Sequence, residues 1–197
     1  MQLTEGYIYH VYNRGNNKQP IFYNDENYLY FLRGVQKNIS PCCDILCWCL
    51  MPNHFHFLIY ANAHSVVEIN DDSFRRQQFS QAVKQLLSSY TKAINKQQGF
   101  TGSLFQQKTK AICVENKTQF YGETAFHYIH QNPMKAGLVN KMEEWSYSSF
   151  KDYVGLRSGK LCNQNLAFQL LDLDVKTLYT DSYGVIDAEV QKKLYDL

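Results

Sequence analysis

Residues 6–14, GYIYHVYNR, interleave Tyr7, Tyr9 and Val11 with Ile8, His10 and Tyr12. This period-two pattern of aromatic and β-branched residues predicts a strand, and RGNNKQP after it a loop. Asn24, followed by Asp25 and Glu26, has the form of a helix cap with an acidic first turn. Tyr28, Leu29, Leu32, Val35 and Ile39 then recur at helical spacing and predict a helix ending near Ser40-Pro41. DILCWCL, a continuous apolar run, predicts a central strand, and HFHFLIY the next one. MPN between them is a short turn, so the pair forms an antiparallel hairpin. From about Phe74 to Gln98, Phe79, Ala82, Val83, Leu86, Tyr90, Ala93 and Ile94 fall on one helical face. GFTGSLF reads as a loop, KTKAICVE as a short strand and NKTQFYGETAFHYIHQ as a helix that Pro133 stops near Asn132.

The first six elements follow the order βαββαβ. That order predicts an α+β fold: a ferredoxin-like antiparallel sheet with both helices on one face. A further helix follows, and the domain is expected to span residues 1–153. Residues 154–197 form a C-terminal extension of unassigned role, with helical pieces at LAFQLLDL and AEVQKKLYDL.

Side chains alternate faces along a strand, so His54 and His56 of HFHFLIY point the same way, with Leu58 beyond them. Phe55, Phe57 and Ile59 point the other way, into a core. The two imidazoles lie ~7 Å apart along the chain, close enough to converge on one divalent ion. The alternative is a pair of satisfied core histidines in an aromatic-rich strand. In the last helix, Tyr128 and Asn132 are four residues apart and share a face. A tyrosine hydroxyl is a poor nucleophile unaided, but beside a metal-polarised phosphate it can attack phosphorus. An Asn carbonyl there could complete a metal shell. In a chain with 15 tyrosines, packing is the competing role for any one of them.

Composition narrows the field. The chain has 197 residues, 45% of them hydrophobic and 19% charged, enough for a real core and too few charges for a disordered polymer. The N-terminal segment lacks the pattern of a secretory signal, and no apolar run reaches the ~18 residues of a membrane span. The six cysteines make no CxxC pair, and four fall in the apolar CCDILCWC. They read as reduced thiols of a cytosolic protein rather than a zinc knuckle. A net charge of +2 hides a basic segment: Ser73–Val114 contains no acid and seven bases, Arg75, Arg76, Lys84, Lys92, Lys96, Lys108 and Lys110. Such a segment is either a solvated helix face or a surface for an anionic partner.

YHVYNRGNN, LMPNHFHFLI, YIHQNPMKAGLV and WSYSSFKDY, in that order, resemble the single-tyrosine HUH transposases of bacterial insertion sequences, most closely the REP-associated tyrosine transposases. The resemblance covers roughly residues 6–153. It implies that His54, His56 and Asn132 hold Mg²⁺ or Mn²⁺ and that Tyr128 is the nucleophile. It implies cutting and rejoining of single-stranded DNA beside a hairpin through a 5′-phosphotyrosine. The basic residues would then track phosphates, and Phe100 or Phe105 would stack unpaired bases. Asn13 and Arg14 become candidates for contacting the hairpin. A cytoplasmic, nucleoid-associated monomer or homodimer with no membrane association is expected. The modest net charge and the extension after Tyr153 depart from the pattern. Two other functions remain compatible: a non-catalytic binder of hairpin DNA or RNA, and a metal-dependent phosphodiesterase in which water attacks.

Overall fold

The structure is a computed structural model describing residues 1–71, 74–114, 121–186 and 189, with the backbone alone at 70, 71 and 74. Its main sheet has four strands: β1 (Ile8–Arg14), β2 (Asp44–Met51), β3 (His54–Tyr60) and, after a separate hairpin, a fourth edge strand. Helix α1 (Asp25–Asn38) connects β1 to β2, and Asn24 caps it by accepting from the Asn27 N–H at 3.0 Å. A short helix, α2 (Ala63–Val66), follows β3. Strands β4 (Glu68–Asp71) and β5 (Phe74–Gln77) then pair as the hairpin, and α3 (Gln78–Gln98) leads to the edge strand β6 (Lys110–Cys113).

The sheet order is β2-β3-β1-β6, with every neighbouring pair antiparallel. This is the ferredoxin-like arrangement that the element order predicts. Period-two alternation divides the sheet into two buried faces. Tyr9, Val11, Ile45, Phe55, Phe57 and Ile59 join α1 and α3 in one core. Ile8, Cys47, Cys49, Met51 and Leu58 join a second core beneath α4 (Gly122–Lys135), which packs on β2 and β3. A register irregularity between Ile45 and Cys47 places the consecutive residues Leu46 and Cys47 in the same core.

Two boundaries differ from the sequence reading. Helix α3 begins at Gln78, because Phe74–Gln77 pair with Glu68–Asp71 instead of continuing the helix. Arg75 and Arg76 therefore lie on a hairpin and not on the long helix. Helix α4 runs through Pro133 to Lys135. Proline removes one N–H, but near a helix end this forfeits a single bond, and the Ala136 N–H still reaches the Asn132 carbonyl at 2.9 Å. Residues 116–120 of the predicted helix lie outside the described residues.

After α4 the chain runs beside β2. The Leu50 N–H donates to the Tyr147 carbonyl and the Ser149 N–H to the Trp48 carbonyl, which covers that sheet edge. Short helices α5 (Phe150–Tyr153), α6 (Gln164–Leu171) and α7 (Leu178–Asp181) follow among the described residues. Helix α6 matches the predicted helical piece at LAFQLLDL; the piece at AEVQKKLYDL lies outside the described residues, apart from Glu189. Ala167, Leu171 and Leu178 enter the α4 core, so residues beyond Tyr153 pack against the sheet and α4. No helix among the described residues is long and apolar enough to cross a membrane.

Candidate active site

The cross-strand register gathers polar residues onto the face beneath α4. Arg14 pairs with His54 and Tyr12 with His56 across β1 and β3, while Tyr12 pairs with Lys110 across β1 and β6. Directly opposed residues of paired strands share a face. Arg14, Tyr12, His10, His54, His56 and Lys110 therefore all project from the histidine side. The His54 and His56 rings meet edge to face with centroids 4.7 Å apart.

Hydrogen bonds constrain the imidazoles. The Asn53 side-chain oxygen lies 2.6 Å from His54 Nδ1. A carbonyl oxygen only accepts, so His54 donates from Nδ1 and carries its lone pair on Nε2. His56 Nδ1 lies 3.0 Å from His10 Nε2, with both residues buried. When His56 donates in that pair, its Nε2 also carries a lone pair. Burial, aided by the nearby Arg14 charge, lowers the His54 pKa to about 4. Burial also holds His56 well below the usual histidine range, with His54, His10 and Arg14 adding to the effect. Both rings are thus neutral at neutral pH, the form a divalent ion requires.

Helix α4 brings Tyr128 and Asn132 to this side of the sheet. Tyr128 is half-buried against the core formed by Cys49, Met51 and Leu58, and the Lys135 ammonium lies 5.5 Å from its ring centre. The Asn132 amide nitrogen donates to the Tyr128 carbonyl at 3.1 Å. Among the described residues, no group of three or more His, Cys, Asp or Glu side chains could hold a metal.

Helix α4 is itself held from behind. His130 Nε2 lies 2.8 Å from Ser149 Oγ, and His127 Nδ1 lies 2.9 Å from Ser182 Oγ. The Gln131 amide donates to the Ser182 and Gly184 carbonyls. The segment after Tyr153 thereby fixes the helix bearing Tyr128.

The basic residues divide between two surfaces. Lys84, Lys92 and Lys108 are exposed and line a groove of about 900 Å³ between α3 and residues 102–109, on the helix side of the sheet. Lys96 is exposed in the last turn of α3. Arg75 is exposed on β5, where Arg76 donates to Gln81. Arg14 and Lys110 are instead on the histidine face. Arg14 is the last residue of β1, not part of the loop after it. Asn13 turns to the opposite face, where its buried amide donates to the Gln106 carbonyl and to Thr109 Oγ1. Phe100 is exposed, whereas Phe105 is buried against Phe31, Phe55 and Tyr90 and presents no face to a base.

Sequence reasoning did not single out His10. Its alternation with Tyr12 places both on one strand face, but only the register shows which ring it meets.

The molecule is thus an α+β protein with a four-stranded antiparallel sheet, a histidine pair on one face and a tyrosine-bearing helix over that face. Among solved structures, that of a REP-associated tyrosine transposase bound to a REP hairpin shares the fold, with a TM-score of 0.56 and 17% sequence identity over 83% of this chain and 92% of that one. At this identity the likeness is one of fold. No protein-family model matches the chain, and no curated protein matches it.

Proposed function

We propose that this protein is a metal-dependent single-stranded DNA endonuclease and strand transferase that acts beside DNA hairpins, with Tyr128 as nucleophile. The supporting observation is the placement of α4, with Tyr128 and Asn132 one turn apart, over the sheet face that carries His54 and His56. The fold shared with a hairpin-bound tyrosine transposase supports the choice of substrate.

His54 and His56, with Asn132 Oδ1, would hold Mg²⁺ or Mn²⁺. Two neutral imidazoles and an amide oxygen suit such an ion, with room for substrate oxygens. The ion would supply Lewis acidity toward a phosphate oxygen. Tyr128 Oη would attack phosphorus, and the bond from phosphorus to the 3′ oxygen would break. The tyrosine gives up its proton and the departing 3′ oxygen gains one. The product is a 5′-phosphotyrosine and a free 3′ hydroxyl. The phosphodiester energy is conserved in that link, so rejoining by a 3′ hydroxyl needs no ATP. The exposed lysines of α3 and Lys108 would follow the phosphate backbone.

The test is incubation of the protein with hairpin-bearing single-stranded DNA and Mg²⁺ or Mn²⁺, followed by denaturing electrophoresis. A covalent protein–DNA adduct that is lost in Tyr128→Phe is expected. Cleavage surviving in Tyr128→Phe would mean a phosphodiesterase using water. Binding without cleavage under either metal would mean a hairpin-binding protein.

A further inference from the structure

Arg14 ends β1 directly across from His54, with its side chain on the histidine face. Its Nε is shielded from solvent, and no described residue accepts a hydrogen bond from it. Among the described residues it forms no ion pair with a carboxylate. A guanidinium stays charged at every physiological pH, and burying part of one without an acceptor is costly. Folded proteins normally supply a carboxylate to such a group. Here the cross-strand neighbour is an imidazole, and the next strand adds Met51, paired with His54. Lys110, on the same face at the β6 edge, adds positive charge. Among the described residues, no carboxylate pairs with the fork.

We propose that Arg14 is the phosphate-binding residue of the histidine face, its guanidinium taking the non-bridging oxygens of a nucleic-acid phosphodiester beside His54 and His56. This rests on the reading of that face as a DNA-processing site, and it moves Arg14 from the hairpin to the phosphate at the histidines. A planar fork suits the tetrahedral oxygens of a phosphate, which it can bond in pairs. The same fork would offset negative charge on those oxygens as phosphorus is attacked. Asn13, its sequence neighbour, takes no part, because its amide serves the opposite face.

The test needs neither metal nor cleavage. Binding of a fluorescent single-stranded oligonucleotide is measured in EDTA by anisotropy across a salt series for the wild type, Arg14→Gln and Arg14→Lys. Arg14→Gln is expected to weaken binding about tenfold and to reduce the slope of log K against log salt by about 0.7, the contribution of one phosphate contact on a single strand. Arg14→Lys should keep the slope and lose affinity, since a point charge replaces the fork. In parallel, inorganic phosphate should raise the melting temperature of the wild type but not of Arg14→Gln. Wild-type affinity and slope in Arg14→Gln would overturn the proposal. A phosphate response without any oligonucleotide effect would assign Arg14 to free phosphate and overturn the phosphodiester assignment. A lower melting temperature in Arg14→Gln, with no phosphate response in the wild type, would make Arg14 structural and equally overturn it. Absence of a Tyr128 adduct would sink the nuclease reading while leaving these measurements unchanged, so the two can fail separately.

Discussion

His10 Nε2 and His56 Nδ1 lie 3.0 Å apart, their rings stacked with centroids 5.2 Å from each other, inside the protein. A ring nitrogen engaged in this way fixes the orientation of the imidazole. His10 is therefore a positioning residue for His56. His10→Ala is expected to weaken Mn²⁺ binding by about tenfold or more. His10→Gln, which can still hydrogen-bond, should restore part of it. Calorimetric titration of the two variants checks this, with circular dichroism to show that both fold. Equal Mn²⁺ affinity in all three proteins would remove His10 from the site.

Acid stability offers a second check. Burial, with His127 nearby, lowers the His130 pKa to about 3. The unfolded chain takes up this proton near pH 6.5, whereas the folded one resists until about pH 3. The stabilisation is thus complete above about pH 6.5 and is lost as pH falls toward 3, by about 1.4 kcal/mol per unit for this residue. His130→Asn should start less stable at pH 8, because Ser149 loses its 2.8 Å partner, yet decline less steeply on acidification. Urea midpoints at pH 8, 6 and 5 measure both effects. Parallel curves for the two proteins would contradict the assignment.

Gly15 follows Arg14 and anchors the loop beyond it. Its backbone angles, φ −61° and ψ 143°, suit any residue. Space decides the matter: an added Cβ would lie 2.2 Å from the Gln19 carbonyl oxygen. A backbone atom cannot swing aside, so Gly15→Ala should destabilise by about 2 kcal/mol and displace the end of β1. Thermal melts and oligonucleotide binding should both be impaired. Tolerance of alanine would show that the 16–19 turn repacks.

Leu171 of α6 is fully buried in the core beneath α4. Leu171→Ala should cost about 2–5 kcal/mol by opening a cavity. Because the segment after Tyr153 also holds α4 through Ser182 and Gly184, the variant should lose Tyr128 adduct yield more than oligonucleotide affinity. Comparing the two readouts at a temperature where the variant remains folded tests this link. Equal loss of both would mean that the extension supports the whole fold rather than the helix.

The sheet and its two flanking helices were legible because their signals are local. Phe55, Phe57 and Ile59 alternate with His54, His56 and Leu58, and period two assigns the two faces without any partner strand. Asn24 announces its helix through a bond to Asn27 only three residues away. The same reasoning put Tyr128 and Asn132 on one helical face. It failed where pairing outweighed local pattern: the sequence reading started the long helix at about Phe74, yet the Phe74 backbone pairs with Asp71. Pro133 misled for the opposite reason, since one absent N–H is too small a loss to end a helix already buried on several sides. Phe105, an aromatic in a glycine-containing loop, looked exposed until α3 and β3 closed around it.

By itself, then, the sequence determined which residues could share a face: two histidines on a strand, and a tyrosine and an asparagine on a helix. Only the tertiary structure decided which of these sets lie on the same side of the sheet. Strand register is a long-range property, set by hairpin geometry and by the burial of both faces. It joins His10 to His56 and Arg14 to His54 across 46 and 40 intervening sequence steps, respectively. No local pattern carries that information, because each strand would alternate in the same way against any partner.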